Sequence, residues 1–440
     1  MTQHAETRFV GLDVHKREVT YCIIDHAGAL LEQRKFDLDA PALHRFAKRT
    51  LKPTDHAALE STTNCWAVAE ILRGYVARVV VSNPMATKAI AQSKIKTDKV
   101  DSHVLAQLLR CDYLPEVWRP DAETRLRRQL SGRRASLVGQ RTQMRNRIHS
   151  VFAMRLIVPP VALFTPEGRK WLDGLTAEQL DADALMMVRS DLRLLDALQV
   201  EIDAFDRRLA ELAWRDERVK LLMTIPGVSV VVAQALVAAF GDVTRFASAD
   251  KAAAYLGLAP RTKQSAKNTY HGPITKCGNS NARWMLVQAA QHFHRQQGPL
   301  GHFFRRLKRR KTHNVAVVAT ARKLAMIAWR MLAANEPYRY APPRSTADKL
   351  AKLRVSVTGQ KRPSGSPKGV KAQAKLPGAP GGSRTIKSLD AVYESEGLPP
   401  RSPLAPGESR HVARTGTTDF VHKLGTDQVV PRKQTHTAAK

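Results

Sequence analysis

The stretch from Phe9 to about Leu114 sets the narrowest limits on what this chain can fold into. Phe9–Val14, Val19–Ile24 and Leu30–Phe36 read as three short strands, and His26-Ala27-Gly28 makes the turn between the second and third. Turn residues between apolar runs favour a hairpin reversal, so these strands are expected as an antiparallel meander. The period then alternates: a helix over Ala42–Thr50, a strand over His56–Glu60, a helix over Cys65–Tyr75, a strand over Arg78–Ser82, and a helix from about Thr97 to Leu109. Three meander strands followed by alternating helices and strands is the order of an RNase-H-like α/β domain.

Lys plus Arg number 71 and Asp plus Glu only 39, a formal net charge of +32. In so basic a chain the positions of the acids are informative. Asp13 falls near the end of the first strand (FVGLDVHK) and Glu60 ends the fourth (AALEST). Asp98 and Asp101 stand three apart in KTDKVDSHVLA, so on a helix they share one face. In an RNase-H-like sheet the first and fourth strands are neighbours, and a following helix can carry its acids over their ends. Carboxylates gathered there repel one another unless cations neutralise them. Mg²⁺ takes oxygen ligands and keeps room for phosphate oxygens, with Mn²⁺ as the alternative ion. A metal pair so held stabilises the attacking and leaving oxygens of a phosphoryl transfer. Plainer roles are also open: Asp98 as a helix cap with Asp101 in the first turn, and Glu60 as a solvated strand end.

The same charge selects a polyanion as partner, because each phosphate neutralised by Lys or Arg releases condensed counterions. A membrane surface is the competing polyanion. However, the longest nearly unbroken apolar run, Val228–Phe240, is too short for a span of ~20 residues. The opening MTQHAETRFV lacks a basic-then-apolar signal pattern, so the chain is expected in the cytoplasm. Cys22, Cys65, Cys111 and Cys277 are scattered without a CxxC pair, which argues against a zinc module and a disulfide framework.

Residues 122–216 read as helical and basic. Leu195, Leu198, Ile202, Phe205, Leu209 and Leu212 fall at alternating spacings of three and four, a coiled-coil seam formed either within the chain or with a second subunit. The preceding RLRRQLSGRRASLVGQRTQMRNRIHSVF, with Arg127, Arg128, Arg141 and Arg145, reads as a partner helix with one face on the coil and one on phosphates; a solvated charged face is the alternative. Residues 219–335 open with a helix, a Pro-Gly turn and an apolar helix (LLMTIPGVSVVVAQALVAAF), similar to a helix-hairpin-helix that offers backbone N–H groups to a phosphate. Residues 341–440 hold 11 of the 24 prolines and 10 of the 24 glycines, and read as a disordered basic tail.

Several of these segments together resemble a known family. FVGLDVHK, ALEST, VSNP and KTDKVDSHVLAQLL are similar to the N-terminal, RuvC-like domain of the DEDD insertion-sequence transposases. That group, the insertion-sequence one-ten family, also includes the Piv-type DNA invertases. IPGVS, FGDVTRF, YLGLAPRTKQS and GPITKCGNSNARWMLVQAA resemble its second, mostly helical transposase domain, so the likeness spans roughly residues 8–335 in order. With the composition and periodicity above, the chain divides into 8–115, 122–216, 219–335 and 341–440; the likeness implies a nucleophilic serine at the position of Ser265 in GLAPRTKQSAKN. Lys263, Lys267 and Lys276 would offset phosphate charge nearby. Family members usually carry glycine after this serine, where this chain has Ala266, a residue with less backbone freedom.

The likeness further implies a bridge RNA from the element itself, so that base pairing selects the sites and the protein holds helix shape and backbones. The expectation is thus a transposase or site-specific recombinase acting on double-stranded DNA. It would use Ser265 and Mg²⁺ held by Asp13, Glu60, Asp98 and Asp101, as a homodimer or tetramer joined through the coil, without a membrane. Two alternatives stay open: a junction-resolving metal nuclease that never uses Ser265, and a non-catalytic nucleic-acid-packaging protein.

Overall fold

Alternating apolar residues make β1 (Phe9–Val14) a strand with two different faces. Val10, Leu12 and Val14 point into a core shared with Leu43, Phe46 and Ala47 of α1 (Ala40–Thr50) and Val68, Ala69 and Leu72 of α2 (Cys65–Leu72). Gly11 and Asp13 point to the opposite face, where α4 (Asp98–Arg110) lies. The sheet has the order β3-β2-β1-β4-β5, with β2 (Glu18–Ile24), β3 (Leu30–Asp37), β4 (His56–Glu60) and β5 (Arg78–Ser82). β1, β2 and β3 pair antiparallel, while β4 and β5 run parallel to β1. A short α3 (Pro84–Ile90) follows β5, an element the sequence pattern does not announce. This is a mixed sheet with helices on both faces.

The computed structural model describes residues 7–90, 97–265, 268–360 and 383–431. The chain divides into two compact units, Met1–Pro120 and Asp121–Lys440. The second is almost entirely helical. It begins with α5 (Ala122–Ala153), α6 (Pro166–Asp173) and α7 (Ala182–Trp214). α5 and α7 form an antiparallel hairpin, as their cross-pairs show: Arg134 with Asp206, Arg141 with Gln199 and Arg147 with Asp191, followed just past the helix ends by Arg155 with Asp181. The seam of α7 is therefore covered within the chain. Leu195, Ile202 and Leu209 are buried, and Leu198, Phe205 and Leu212 are half-buried.

Beyond the hairpin come α8 (Glu217–Met223), α9 (Val230–Phe240), α10 (Ala249–Tyr255), the β6 (Pro260–Ser265) and β7 (Asn268–Ile274) ribbon, α11 (Ser280–Gln291), α12 (Pro299–Lys308) and α13 (His313–Ala334). The Pro-Gly turn between α8 and α9 is not presented to solvent in the way a helix-hairpin-helix reading expects. Pro226 is buried, and a Cβ on Gly227 would meet the Ala289 carbonyl at 2.7 Å.

The tail expected to be disordered is folded where the structure describes it. α14 (Pro343–Thr358) buries Thr346, Leu350 and Leu353 at helical spacing. Its Lys349 ammonium donates to the Ile225 and Val228 carbonyls, at 2.7 and 3.2 Å, and so ties down the Pro-Gly turn. After β8 (Ser383–Ile386), α15 (Leu389–Ser395) places Tyr393 in the core, its hydroxyl donating to the Tyr338 carbonyl at 2.6 Å. α16 (Pro406–Arg414), α17 (Thr418–Leu424) and β9 (Gln428–Pro431), which pairs with β8, complete the unit. The physical reason for the difference is averaging. Proline and glycine crowd into residues 361–382, outside the described residues, and dilute the apolar period of the flanking helices.

Candidate carboxylate site and serine hairpin

Asp13 and Glu60 sit at the carboxyl ends of neighbouring parallel strands, one position beyond the Leu12–Leu59 pair. This is where open α/β sheets bind their ligands. α4 reaches the same place because of Gly11. A Cβ there would lie 1.9 Å from the Ser102 carbonyl oxygen and 2.7 Å from the Ala106 nitrogen, so only glycine lets the helix backbone cross this closely. Three polar ties fix the helix along the sheet: Gln33 donates to the Lys99 carbonyl (2.8 Å), Cys22 meets His103, and Gln107 donates to the Gly28 carbonyl (2.9 Å). Thr97 caps α4 by accepting from the Val100 N–H. The cap is Thr97 rather than Asp98, so the role weighed for Asp98 at the helix end is already filled.

The crossing brings Asp13, His15 and Asp98 together, with one ligand atom of each within 4.8 Å of the others. His15 Nε2 lies 3.2 Å from Asp13 Oδ2 and 3.5 Å from Asp98 Oδ1. The His15 carbonyl accepts from Asn64 Nδ2, which anchors this turn to the start of α2. Burial pushes the Asp13 carboxyl above its ordinary range; His15 opposes that shift, and the charges of Asp98 and Asp101 add to it. Asp101 thus belongs to the site electrostatically. Glu60 is half-buried at the end of its strand and is not part of the 4.8 Å cluster. Opposite it in the ladder, Ser82 is fully buried and its hydroxyl has no hydrogen-bond partner among the described residues. Sequence reasoning passed over His15 and Ser82. The signal for His15 was its place two residues after Asp13, on the turn that closes the first hairpin.

In the second unit, Ser265 is the last residue of β6 and pairs with Asn268 across the ribbon. Every residue from Arg261 to Ser265 is exposed, and Lys263 stands opposite Tyr270. The base of this ribbon is held by two glycines in the left-handed region. A Cβ on Gly257 would meet the Cys277 carbonyl at 2.2 Å, and one on Gly278 would meet the Tyr255 carbonyl at 2.0 Å. Lys276, itself at φ 58°, is exposed beside them. Lys267 and Ala266 lie outside the described residues.

The arginines expected on phosphates are placed differently. Arg127 is 3% exposed and ion-pairs with Asp216 (2.8 Å) and Glu123 (2.7 Å), while also donating to Gln234. Its reading as a phosphate contact is therefore corrected, because a guanidinium this deep has exchanged water for protein acceptors. Arg128 donates to the Ala238 and Ala239 carbonyls, where α9 ends without enough backbone partners of its own. Arg141 donates to Gln199, and Arg145 stacks on Phe164 at 4.8 Å. The first three hold helices together, and Arg145 packs the loop before α6 onto α5.

With this geometry in place, residues 10–156 match the DEDD-type transposase family of the IS110 group, and residues 219–304 match the family described as Transposase IS116/IS110/IS902. The chain belongs to the IS110 family of transposases. A transposase of Sinorhizobium fredii is 29% identical to it over 308 residues, covering 68% of this chain and 77% of that one. The pilin gene-inverting protein of Moraxella bovis is 25% identical, covering 75% and 97%. The transposase for insertion sequence element IS1111A of Coxiella burnetii is 24% identical, covering 76% and 92%. Such relatives make this an enzyme of DNA transposition or recombination, and a DEDD transposase uses divalent metal. Two observations in this IS110 member fit a hydrated divalent cation: the half-buried Asp13 carboxyl close to the carboxylates of Asp98 and Asp101, and the Ser82 hydroxyl, unpartnered among the described residues, beside Glu60. Among the described residues, no helix is long and apolar enough to cross a membrane.

Proposed function

We propose that this transposase cuts and rejoins double-stranded DNA through a covalent link to Ser265, with Mg²⁺ held by Asp13, Glu60, Asp98 and Asp101. The observation that carries the reading is the meeting of Asp13 and Asp98 at the carboxyl end of β1, with Asp101 raising the local negative charge. The strand order, three antiparallel strands continued by two parallel ones, supports an RNase-H-like assignment for 8–115. Bound there, the metal would supply Lewis-acid stabilisation of charge on phosphate oxygens.

The chain's own groups have separate tasks. Asp13, Glu60, Asp98 and Asp101 provide oxygen ligands, and His15 fixes the orientation of Asp13. In the serine unit, the Ser265 hydroxyl attacks a backbone phosphorus. Its proton leaves to a base, the P–O bond to the deoxyribose breaks, and the departing sugar oxygen takes up a proton. The resulting phosphoserine ester keeps the bond energy for rejoining to a new strand. Lys263 and Lys276, exposed on and beside the same ribbon, favour a phosphate there. A bridge RNA that selects the sites and assembly as a dimer or tetramer belong to this reading through the family.

The test is a trap for covalent linkage. The full chain with its co-purified RNA, labelled element-end DNA and Mg²⁺ is incubated and run on a denaturing gel. A shifted band that disappears in Ser265→Ala and in Asp13→Asn is expected. Cleaved DNA without that band would replace this reading with a hydrolytic metal nuclease.

A further inference from the structure

Between Asp250 and Glu336 the chain has no acidic residue at all, an 85-residue stretch that carries 16 Lys and Arg. Six of these cations fall within seven residues, Arg305-Arg306-Leu307-Lys308-Arg309-Arg310-Lys311, at the end of α12 and in the link to α13. α12 is amphipathic. Leu300 and Phe304 are buried, and Gly301 packs so tightly that a Cβ would sit 1.9 Å from the Gln296 carbonyl. Arg305 is used internally, donating to the Gln296 carbonyl at 2.6 Å. Arg306, Lys308, Arg309, Arg310 and Lys311 are exposed, and among the described residues none forms an ion pair with a carboxylate.

The folded C-terminal segment adds to this surface. Phe420 of α17 lies within 3.0 Å of a Cβ built on Gly298, at the start of α12. The preceding α16 carries Arg410, His411 and Arg414. Its acid, Glu408, is engaged by Arg339 and Tyr340. His302 of α12 registers the resulting field. Partial burial lowers its pKa, and Arg305, Arg306, Arg309 and His411 lower it further. Asp419 of α17 is an exposed acid beside Phe420, but with Glu408 already held by Arg339 and Tyr340 the cations far outnumber it. A surface so strongly positive repels a second copy of itself and attracts a dense polyanion.

We propose that the end of α12, the 309–312 link and α16 together form a docking surface for the phosphate backbone of duplex DNA, gripping it without regard to sequence. The proposal takes DNA as partner because the family acts on DNA, and it does not depend on Ser265 being the nucleophile. Flexible exposed Lys and Arg side chains suit phosphates, whose contacts position a duplex without reading its bases. None of these residues is among the candidates that the sequence motifs single out.

The experiment uses the full chain carrying Arg306→Gln, Lys308→Gln, Arg309→Gln and Arg310→Gln together. Its affinity is measured by fluorescence anisotropy against salt concentration. The probes are two labelled DNA duplexes of about three helical turns, one with element-end sequence and one scrambled, and a matching RNA duplex. Each lost phosphate contact reduces the slope of log affinity against log salt by about 0.9. The expected result is a slope lower by up to about 3.6 on both DNA duplexes, with an unchanged melting temperature. A charge-keeping variant, Arg306→Lys with Arg309→Lys and Arg310→Lys, is expected to retain the wild-type slope. An unchanged DNA slope in the Gln variant, a loss confined to RNA, or an equal loss in the Lys variant would each overturn the proposal. The covalent band measured at low salt is a separate readout. It is expected to persist in the Gln variant, so failure here is distinguishable from failure of the serine chemistry.

Discussion

Replacing Gly11 by alanine puts a methyl group into the backbone of α4. The added carbon would stand 1.9 Å from the Ser102 carbonyl oxygen, 2.7 Å from the Ala106 nitrogen and 3.0 Å from the Ser102 carbonyl carbon. These are backbone atoms and cannot rotate aside. Ordinary contact begins near 3.4 Å, so helix and strand must separate by about 3.4 − 1.9 = 1.5 Å. Leu105, Ala106 and Leu109 are buried against the sheet and resist that movement. Overpacking of this kind costs about 1–3 kcal/mol. The functional cost is expected to be larger than the stability cost. Asp98 and Asp101 travel with α4 while Asp13 stays on β1, and Mg²⁺ demands ligands at about 2.0–2.1 Å in near-octahedral geometry. A misplacement of about 1 Å is worth on the order of 100-fold in rate. Thermal melting with and without Mg²⁺, followed by DNA cleavage at a temperature where both proteins are folded, measures the two effects. Gly132→Ala is the control, since nothing lies within 4 Å of its Cβ on an exposed face of α5. A Gly11→Ala protein with wild-type melting, wild-type Mg²⁺ response and wild-type cleavage would show that this crossing does not set the site.

Two further outcomes follow from buried groups in the second unit. Arg127→Met removes the donor to Asp216 and Gln234 while Arg218 still donates to Asp216, so a loss of about 3 kcal/mol in denaturant unfolding is expected, at the lower end for broken buried pairs. A weakened DNA affinity with unchanged stability would restore the phosphate role. Burial pushes the Lys349 ammonium down to about 7. Its folded pKa lies below the unfolded value, so from about pH 7 up to the ordinary lysine range the unfolded chain binds more protons and the native state gains stability as pH rises. Relative to Lys349→Met, the wild-type protein is expected to gain on the order of 1 kcal/mol between pH 7 and pH 8; a flat difference would refute the assignment.

Much of the first unit was legible because its signals are local. The apolar alternation of FVGLDV and HAALE fixes strand and face together, and D-x-x-D on a helix places two acids on one side. The arginines of α5 misled for the opposite reason. Their partners Asp191, Gln199 and Asp206 stand 44–72 residues away on α7, beyond any local charge pairing. The heptad spacing of Arg127, Arg134 and Arg141 was the available sign that they share one helix face. Gly11 looked like an ordinary glycine in a strand; its meaning depends on a helix about ninety residues later. Leu350 and Leu353 were hidden by the composition of the segment beside them.

Because α14 to α17 complete the apolar interior of the second unit, that unit cannot close until the ribosome has delivered Leu424. The first unit is complete in sequence by Pro120. At about 5–20 residues per second, the roughly 300 residues between these points take about 15–60 s to synthesise. A nascent chain therefore passes through an interval in which its acid-bearing half is finished and its serine-bearing half still displays the sides of α7 and α8 on which α14 packs. A message broken upstream of α14 leaves a product fixed at that stage, with those sides of α7 and α8 left uncovered. Such a product, with apolar surface left open, is a natural substrate for proteolysis.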